Sequence, residues 1–184
     1  MIHHAFKEWA VVCRALATGR QSLILRKGGI ADEGGLFRPE HERFLLYPTF
    51  LHQQRDCIKP EAMALLEDAI SNEPPAGIVR FTHWVEVTSV RQIAKLEQAL
   101  ALDPLHVWSA ETVKKRFHYR QPGLYCLALR VHQLEDAHEE PVLSEYDGCK
   151  TWVELRNGIG EANSTLVAGD PQDRLSQKIE SLLQ

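Results

Sequence analysis

Apolar and polar positions alternate most regularly between Ile78 and Thr88. Val79, Phe81, His83, Val85 and Val87 fall on one side, with Arg80, Thr82, Trp84, Glu86 and Thr88 on the other. A period of two marks a strand with one face on a core, so this segment predicts a strand with His83 inward and Trp84 outward. Tyr125, Leu127, Leu129 and Val131, set against Cys126, Ala128, Arg130 and His132, predict a second. Helical spacing takes over at Met63, Leu65, Leu66, Ala69 and Ile70. That helix opens at Lys59-Pro60-Glu61 and closes at Asn72 and the Pro74-Pro75-Ala76-Gly77 cluster. Ser89 and Ser109 read as caps of two further helices, one through Ala101 and one from Ala110 to Tyr119, the latter stopped by Pro122-Gly123.

Two β-compatible apolar runs, Trp9 to Ala17 and Gln21 to Lys27, flank Thr18-Gly19 and predict a hairpin. Gly28-Gly29 and Gly34-Gly35 predict a loop from Lys27 to Leu36. Arg43 to Tyr47 reads as a short strand stopped by Pro48, and Thr151 to Arg156 as the last strand. The glycines and small polar residues of 157–169 predict a flexible linker. Asp170 and Pro171 then start a terminal helix, 170–184, with Leu175, Ile179, Leu182 and Leu183 inward. Strands and short helices follow one another without a regular βαβ period. The expected fold is therefore α+β: one domain over 1–156, built on a mixed or partly closed, barrel-like sheet with several short helices, followed by the C-terminal helix.

Composition narrows the function classes. At 184 residues, 44% hydrophobic and 25% charged, the chain is an ordinary globular one, which excludes collagen-like and disordered classes. No stretch approaches the roughly 20 apolar residues of a membrane span. Four cysteines without a CxxC pair make no disulfide framework, and no secretory signal is visible after Met1, so a cytoplasmic location is expected. The net charge of -4 gives no global basic field. Locally, Lys114, Lys115, Arg116, Arg120 and Arg130 stand against Glu111 alone, whereas Glu135 to Asp147 is acidic throughout.

Four segments carry candidate chemistry. Arg26-Lys27-Gly28-Gly29 offers cations and amide-bearing glycines after a strand, the elements of an anion site, but lacks the spacing of a Walker or dinucleotide loop. Phe37 to Gln53 interleaves polar and aromatic groups, among them His41, Arg43, Tyr47 and His52. In an extended chain Glu40 and Glu42 oppose His41, which argues against a metal. An outward Trp84, with Trp108 and Tyr119 beside Lys114 and Arg120, would supply rings and cations for stacking and phosphate contact. Asp147, Lys150 and Glu154 do not match the acidic pattern of a metal nuclease, and Cys149 has no histidine near it in sequence to serve as a base.

Phe6-Lys7-Glu8-Trp9-Ala10, Leu25 to Ile30, Arg43 to Thr49 with His52-Gln53, Gly123-Leu124-Tyr125 and Tyr146 to Leu155 together resemble a bacterial family catalogued as domain of unknown function 1802, from about Ala5 to Leu155. The resemblance implies no activity and no residue roles. The strand and helix rhythm also resembles barrel-like RNA-binding modules of the pseudouridine-synthase-and-archaeosine type. The expectation is a binding module for nucleic acid or another phosphate-bearing ligand, without cofactor or metal. Its binding residues would be Arg26, Lys27, His41, Arg43, Tyr47, His52, Trp84, Lys114, Arg120 and Lys150. Two alternatives stand beside it: a hydrolase or nuclease using His41, His52 or His83 with Asp147 and Glu154, and a protein-partner adaptor using the acidic segment from Glu135 to Asp147.

Overall fold

The computed structural model describes residues 1–27, 30–33, 36–50, 55–148, 150–168 and 172–182. The chain opens with strand β1 (Ile2–Trp9), which runs directly into helix α1 (Ala10–Ala17). Strands β2 (Leu23–Arg26), β3 (Ile30–Glu33), β4 (Leu36–Pro39) and β5 (Arg43–Thr49) follow. Helix α2 (Met63–Ser71) precedes the long strand β6 (Ile78–Ile93), and helices α3 (Leu96–Ala101) and α4 (Ala110–His118) precede the longer β7 (Leu124–Pro141). Strands β8 (Trp152–Ile159) and β9 (Thr165–Leu166) and helix α5 (Gln172–Leu182) complete the described chain.

Seven strands make one mixed, open sheet in the order β2-β7-β6-β5-β1-β8, with β9 also paired to β7, while β3 and β4 form a separate hairpin. Among the described strand pairs only β1 and β5 run parallel, and their register sets Lys7 beside Tyr47, Glu8 beside Pro48 and Trp9 beside Thr49. Both strands therefore end at the same edge of the sheet, where loops gather.

The sheet is buried on both sides. Phe44 and Leu46 of β5 face one core with Phe6, Val85, Leu127 and Leu129, covered by Val11, Val12 and Leu16 of α1 and by Leu175 and Ile179 of α5. Leu45 and Tyr47 face a second core with Ala5, Phe81, Trp84, Tyr146 and Val153. Each large apolar side chain withdrawn from water contributes about 1.5–3 kcal/mol before entropy is charged against it. The outer strands β2 and β8 share no ladder, but a side chain spans the gap. Arg26 donates to Glu8 on β1 at 3.3 Å and to Thr151, next to β8, at 3.2 Å, and its guanidinium lies 4.6 Å from the Phe6 ring.

Several elements differ from expectation. Ala10 to Ala17 is a helix, not half of a hairpin. The alanine-rich run is buried nearly all round, and a fully buried run has no period to separate strand from helix. Within Lys27 to Leu36, expected as loop, Ile30–Glu33 forms strand β3 and pairs with Leu36–Pro39 as a hairpin. Ser89 caps no helix: β6 continues to Ile93, because its ladder with β7 extends from Ile78↔Pro141 to Ile93↔Leu124. That same ladder keeps 135–141 in strand where an acidic loop was expected. Within 157–169, residues 157–159 belong to β8 and Thr165–Leu166 pair with β7. Among the described residues, no helix is long and apolar enough to cross a membrane.

A cleft at the ends of the parallel strands

A cleft of about 630 Å³ opens at the ends of β1 and β5. That volume lies within the roughly 300–1,000 Å³ of small-molecule sites. Its walls are Lys7, Glu8 and Trp9 from β1, Arg26 from β2, Tyr47 to Phe50 from β5 and beyond, 73–80 before and on β6, and Tyr146 to Gly148 with Lys150 and Thr151 before β8. Arg26, Tyr47 and Lys150, more than 120 residues apart at the extremes, thus share one concavity.

Glu8 forms the charged back of the cleft. Its side chain is 0% exposed, a position a carboxylate tolerates only with partners. Oε1 accepts from the Trp9 backbone N–H at 2.8 Å and Oε2 from Arg26 at 3.3 Å. Helix α1 begins two residues later with no side chain capping its first turn, so the carboxylate also sits where the helix dipole favours negative charge. Arg26 is consequently occupied, although its Nε is buried without a partner.

Tyr47 contributes a buried ring whose phenol is pushed up by burial first and then by Asp147 and Glu140, so it stays a neutral hydroxyl. Lys7 lies 5.5 Å from that ring and donates to the carbonyls of Tyr146 and, at 3.3 Å, Gly148. Lys150 is exposed and donates to the Glu145 carbonyl at 3.0 Å, which leaves ammonium hydrogens for a ligand. Glu73 and Asp147 line the cleft together with Lys7, Arg80 and Lys150, so its field is mixed.

The other expected residues lie elsewhere. Lys27 turns away from the cleft and donates to the carbonyls of Phe117 (2.9 Å), Gln121 and Gly123 (2.7 Å), closing the end of α4. Lys114 pairs with Glu111 at 3.7 Å, and Arg120, at φ 62°, lies over Tyr119. Arg43 bridges to Glu161 at 3.4 Å and Glu86 at 4.0 Å. Trp84 is not outward: it is 7% exposed, stacks on His132 at 4.0 Å and donates to Ser164 at 2.9 Å. Trp108 is buried too, edge-on to Trp9 and beneath the Arg116 guanidinium at 3.9 Å. His52, Gly28, Gly29 and Cys149 lie outside the described residues.

The groups expected of a hydrolase are divided among three places. His41 stacks on His4 at 3.5 Å near Glu154, its pKa lowered by burial first and then by His4. His83 is buried in a smaller cavity, and Asp147 stands on the cleft wall. Sequence reasoning missed Lys7, Glu8 and Trp9 as site residues. The available signal was two opposite charges lodged between Phe6 and Trp9.

No curated protein matches the chain. Among solved structures it is similar to an ASCH protein from Zymomonas mobilis at 12% identity and a TM-score of 0.46, covering 98% of this chain and 95% of that one. A single-residue variant of that protein gives 11% identity and a TM-score of 0.45, over 98% and 96%. The model of one family spans residues 5–174, and the chain belongs to that family, the domain of unknown function DUF1802.

Proposed function

We propose that the protein is a binding module whose cleft takes one nucleotide of a single-stranded nucleic acid. The observation that carries the reading is the convergence of Arg26, Tyr47 and Lys150 on one 630 Å³ concavity. Trp9, Tyr47 and Phe50 supply flat apolar walls, and stacking on such rings contributes about 1–3 kcal/mol per base. Lys150 supplies an exposed cation for a phosphate, and the neutral Tyr47 phenol a hydroxyl in the same cleft.

The mixed lining also limits the ligand. Glu73 and Asp147 oppose a long run of phosphates, so the cleft suits one residue of a strand and not a continuous polyanion track. Few counterions are then released on binding. With about one to two phosphates neutralised, log K falls against log salt with a slope of roughly -0.7 to -1.4.

Titration of the intrinsic tryptophan fluorescence with short single-stranded RNA and DNA, at low and moderate salt, tests this. Saturable quenching with that shallow slope is expected. Absence of binding at low salt removes the proposal, and a steep slope assigns the affinity to a basic surface elsewhere.

A further inference from the structure

We infer that a small chamber adjoining the cleft receives the heterocyclic base of the bound nucleotide, and that His83 is the residue that reads it. This deepens the nucleotide reading of the cleft and rests on it. The chamber measures about 180 Å³ and shares Pro48, Phe50, Pro74 and Arg80 with the larger cleft. It is smaller than the roughly 300 Å³ at which pockets for whole ligands begin, so it suits one group of a ligand whose remainder lies in the cleft.

The chamber's chemistry is that of a flat ring with one polar edge. Ala10, Leu46, Pro48, Phe50, Ala69 and Pro74 make most of its wall apolar. The polar residues in that wall are nearly all engaged already. Arg14 pairs with Asp68, Asn72 donates to the same Asp68, and Arg80 donates to Glu139 at 2.5 Å. His83 is the exception: it is 7% exposed, its Nδ1 shares a hydrogen bond with the Thr82 hydroxyl at 2.8 Å, and its Nε2 is buried with no partner.

A buried polar atom without a partner is disfavoured unless something supplies one. The Thr82 hydroxyl either donates to Nδ1 or accepts from it. Nε2 is accordingly a donor or an acceptor and matches either a ring carbonyl or a ring N–H. Burial first, and Arg14 second, hold the His83 pKa down to about 4, so the ring is neutral at ordinary pH and pairs with an uncharged group, not a phosphate. Nε2 is also closed off from water, so the base enters by displacing a wall side chain. Phe50, half-buried and common to both cavities, stands at that boundary.

Calorimetric titration with the four ribonucleoside 5′-monophosphates and with ribose 5-phosphate separates the two parts of the claim. At least one nucleotide is expected to bind about tenfold more tightly than the sugar phosphate, the scale of one hydrogen bond plus apolar contact. His83→Leu narrows that gap to less than about threefold while leaving ribose 5-phosphate affinity unchanged, and His83→Gln retains most of the gap. The melting temperature of His83→Leu stays equal to or above that of the parent, because the substitution removes an unpaired buried polar atom. Should His83→Leu fail to fold, Thr82→Val, which removes the hydroxyl that orients the ring, is expected to weaken the nucleotide about threefold and not the sugar phosphate. Equal binding of nucleotides and ribose 5-phosphate, or an unchanged gap in these variants, overturns the chamber assignment alone. Binding of neither class overturns it together with the nucleotide reading of the cleft.

Discussion

Replacing Arg26 with alanine leaves Glu8 inside the protein with the Trp9 N–H donating at 2.8 Å and Arg116 as the nearby cation, but without its hydrogen-bonded guanidinium. The carboxylate has no exposed side-chain surface, and Arg26 keeps only 17%, so water does not substitute for the lost cation. Breaking a buried pair by removing one partner costs about 3–5 kcal/mol. The residual exposure of Arg26 places this case near the lower figure, and the lost hydrogen bond to Thr151 and stacking on Phe6 act in the same direction. For a chain of this size, each kcal/mol lowers Tm by roughly 2–4 °C, so Arg26→Ala is expected to melt about 6–12 °C below the parent. The double variant Glu8→Gln with Arg26→Ala removes both charges and is expected to recover more than half of the loss, because the unpaired carboxylate causes most of it. Urea unfolding of the four species of this cycle measures the coupling directly. A Tm for Arg26→Ala within about 2 °C of the parent, or a double variant no more stable than the sum of its singles, would refute Arg26 as the link between the sheet's outer strands.

Three further outcomes follow from the same structure. Lys150→Ala is expected to weaken single-stranded oligonucleotide binding several-fold and reduce the salt slope by about 0.7, with Tm nearly unchanged; an unaltered slope would take Lys150 out of the phosphate contact. Lys27→Ala uncaps the carbonyls of Phe117, Gln121 and Gly123 and is expected to cost about 1–2 kcal/mol in urea unfolding without changing affinity, whereas a binding defect at unchanged stability would contradict its structural role. His83 and His106 are both lowered to about 4, mainly by burial, so between pH 4 and 6.5 the folded chain holds fewer protons than the unfolded one. Stability is then complete above pH 6.5 and falls toward pH 4, on the scale of roughly 3 kcal/mol per histidine. Urea midpoints across that window should flatten in His83→Leu and His106→Leu, and an unchanged slope in both would exclude them as the source.

Legibility in the sequence followed periodicity and capping chemistry. The alternation around Val85 located β6 and turned His83 inward, and Ser109 caps α4 by accepting from the Thr112 N–H at 3.3 Å. Signals failed where burial is two-sided. Ala10 to Leu16 is apolar almost without interruption, so its helix resembled a strand. Trp84 sits on the face opposite His83, as alternation requires, but that face is buried as well, beneath 161–166 and against His132.

The site was legible as segments and not as an arrangement. Arg26, Tyr47 and Lys150 lie on separate segments, and they meet because β1 pairs with both β5 and β8 while the Arg26 side chain reaches across to Glu8 and Thr151. Parallel pairing depends on contacts between distant segments that no local pattern encodes. The pairing with β5 sets Lys7 beside Tyr47 and Glu8 beside Pro48, on a strand that lies before the hairpin expected from Trp9 onward. Lys114, Arg120 and Arg43 show the opposite error: cations selected for their sign belong to local ion pairs and ring contacts of helix and sheet.

Backbone amide shifts of the isotopically labelled protein during titration with a single nucleoside 5′-monophosphate test the central claim most directly. Saturable shifts are expected, confined to Lys7–Trp9, Tyr47–Thr49, 76–83, Gly148, Lys150 and Thr151, which lie on the strands and loops that wall the cleft and its chamber. Shifts centred on α4, on Trp84 and its cover, or on no part of the molecule would contradict it.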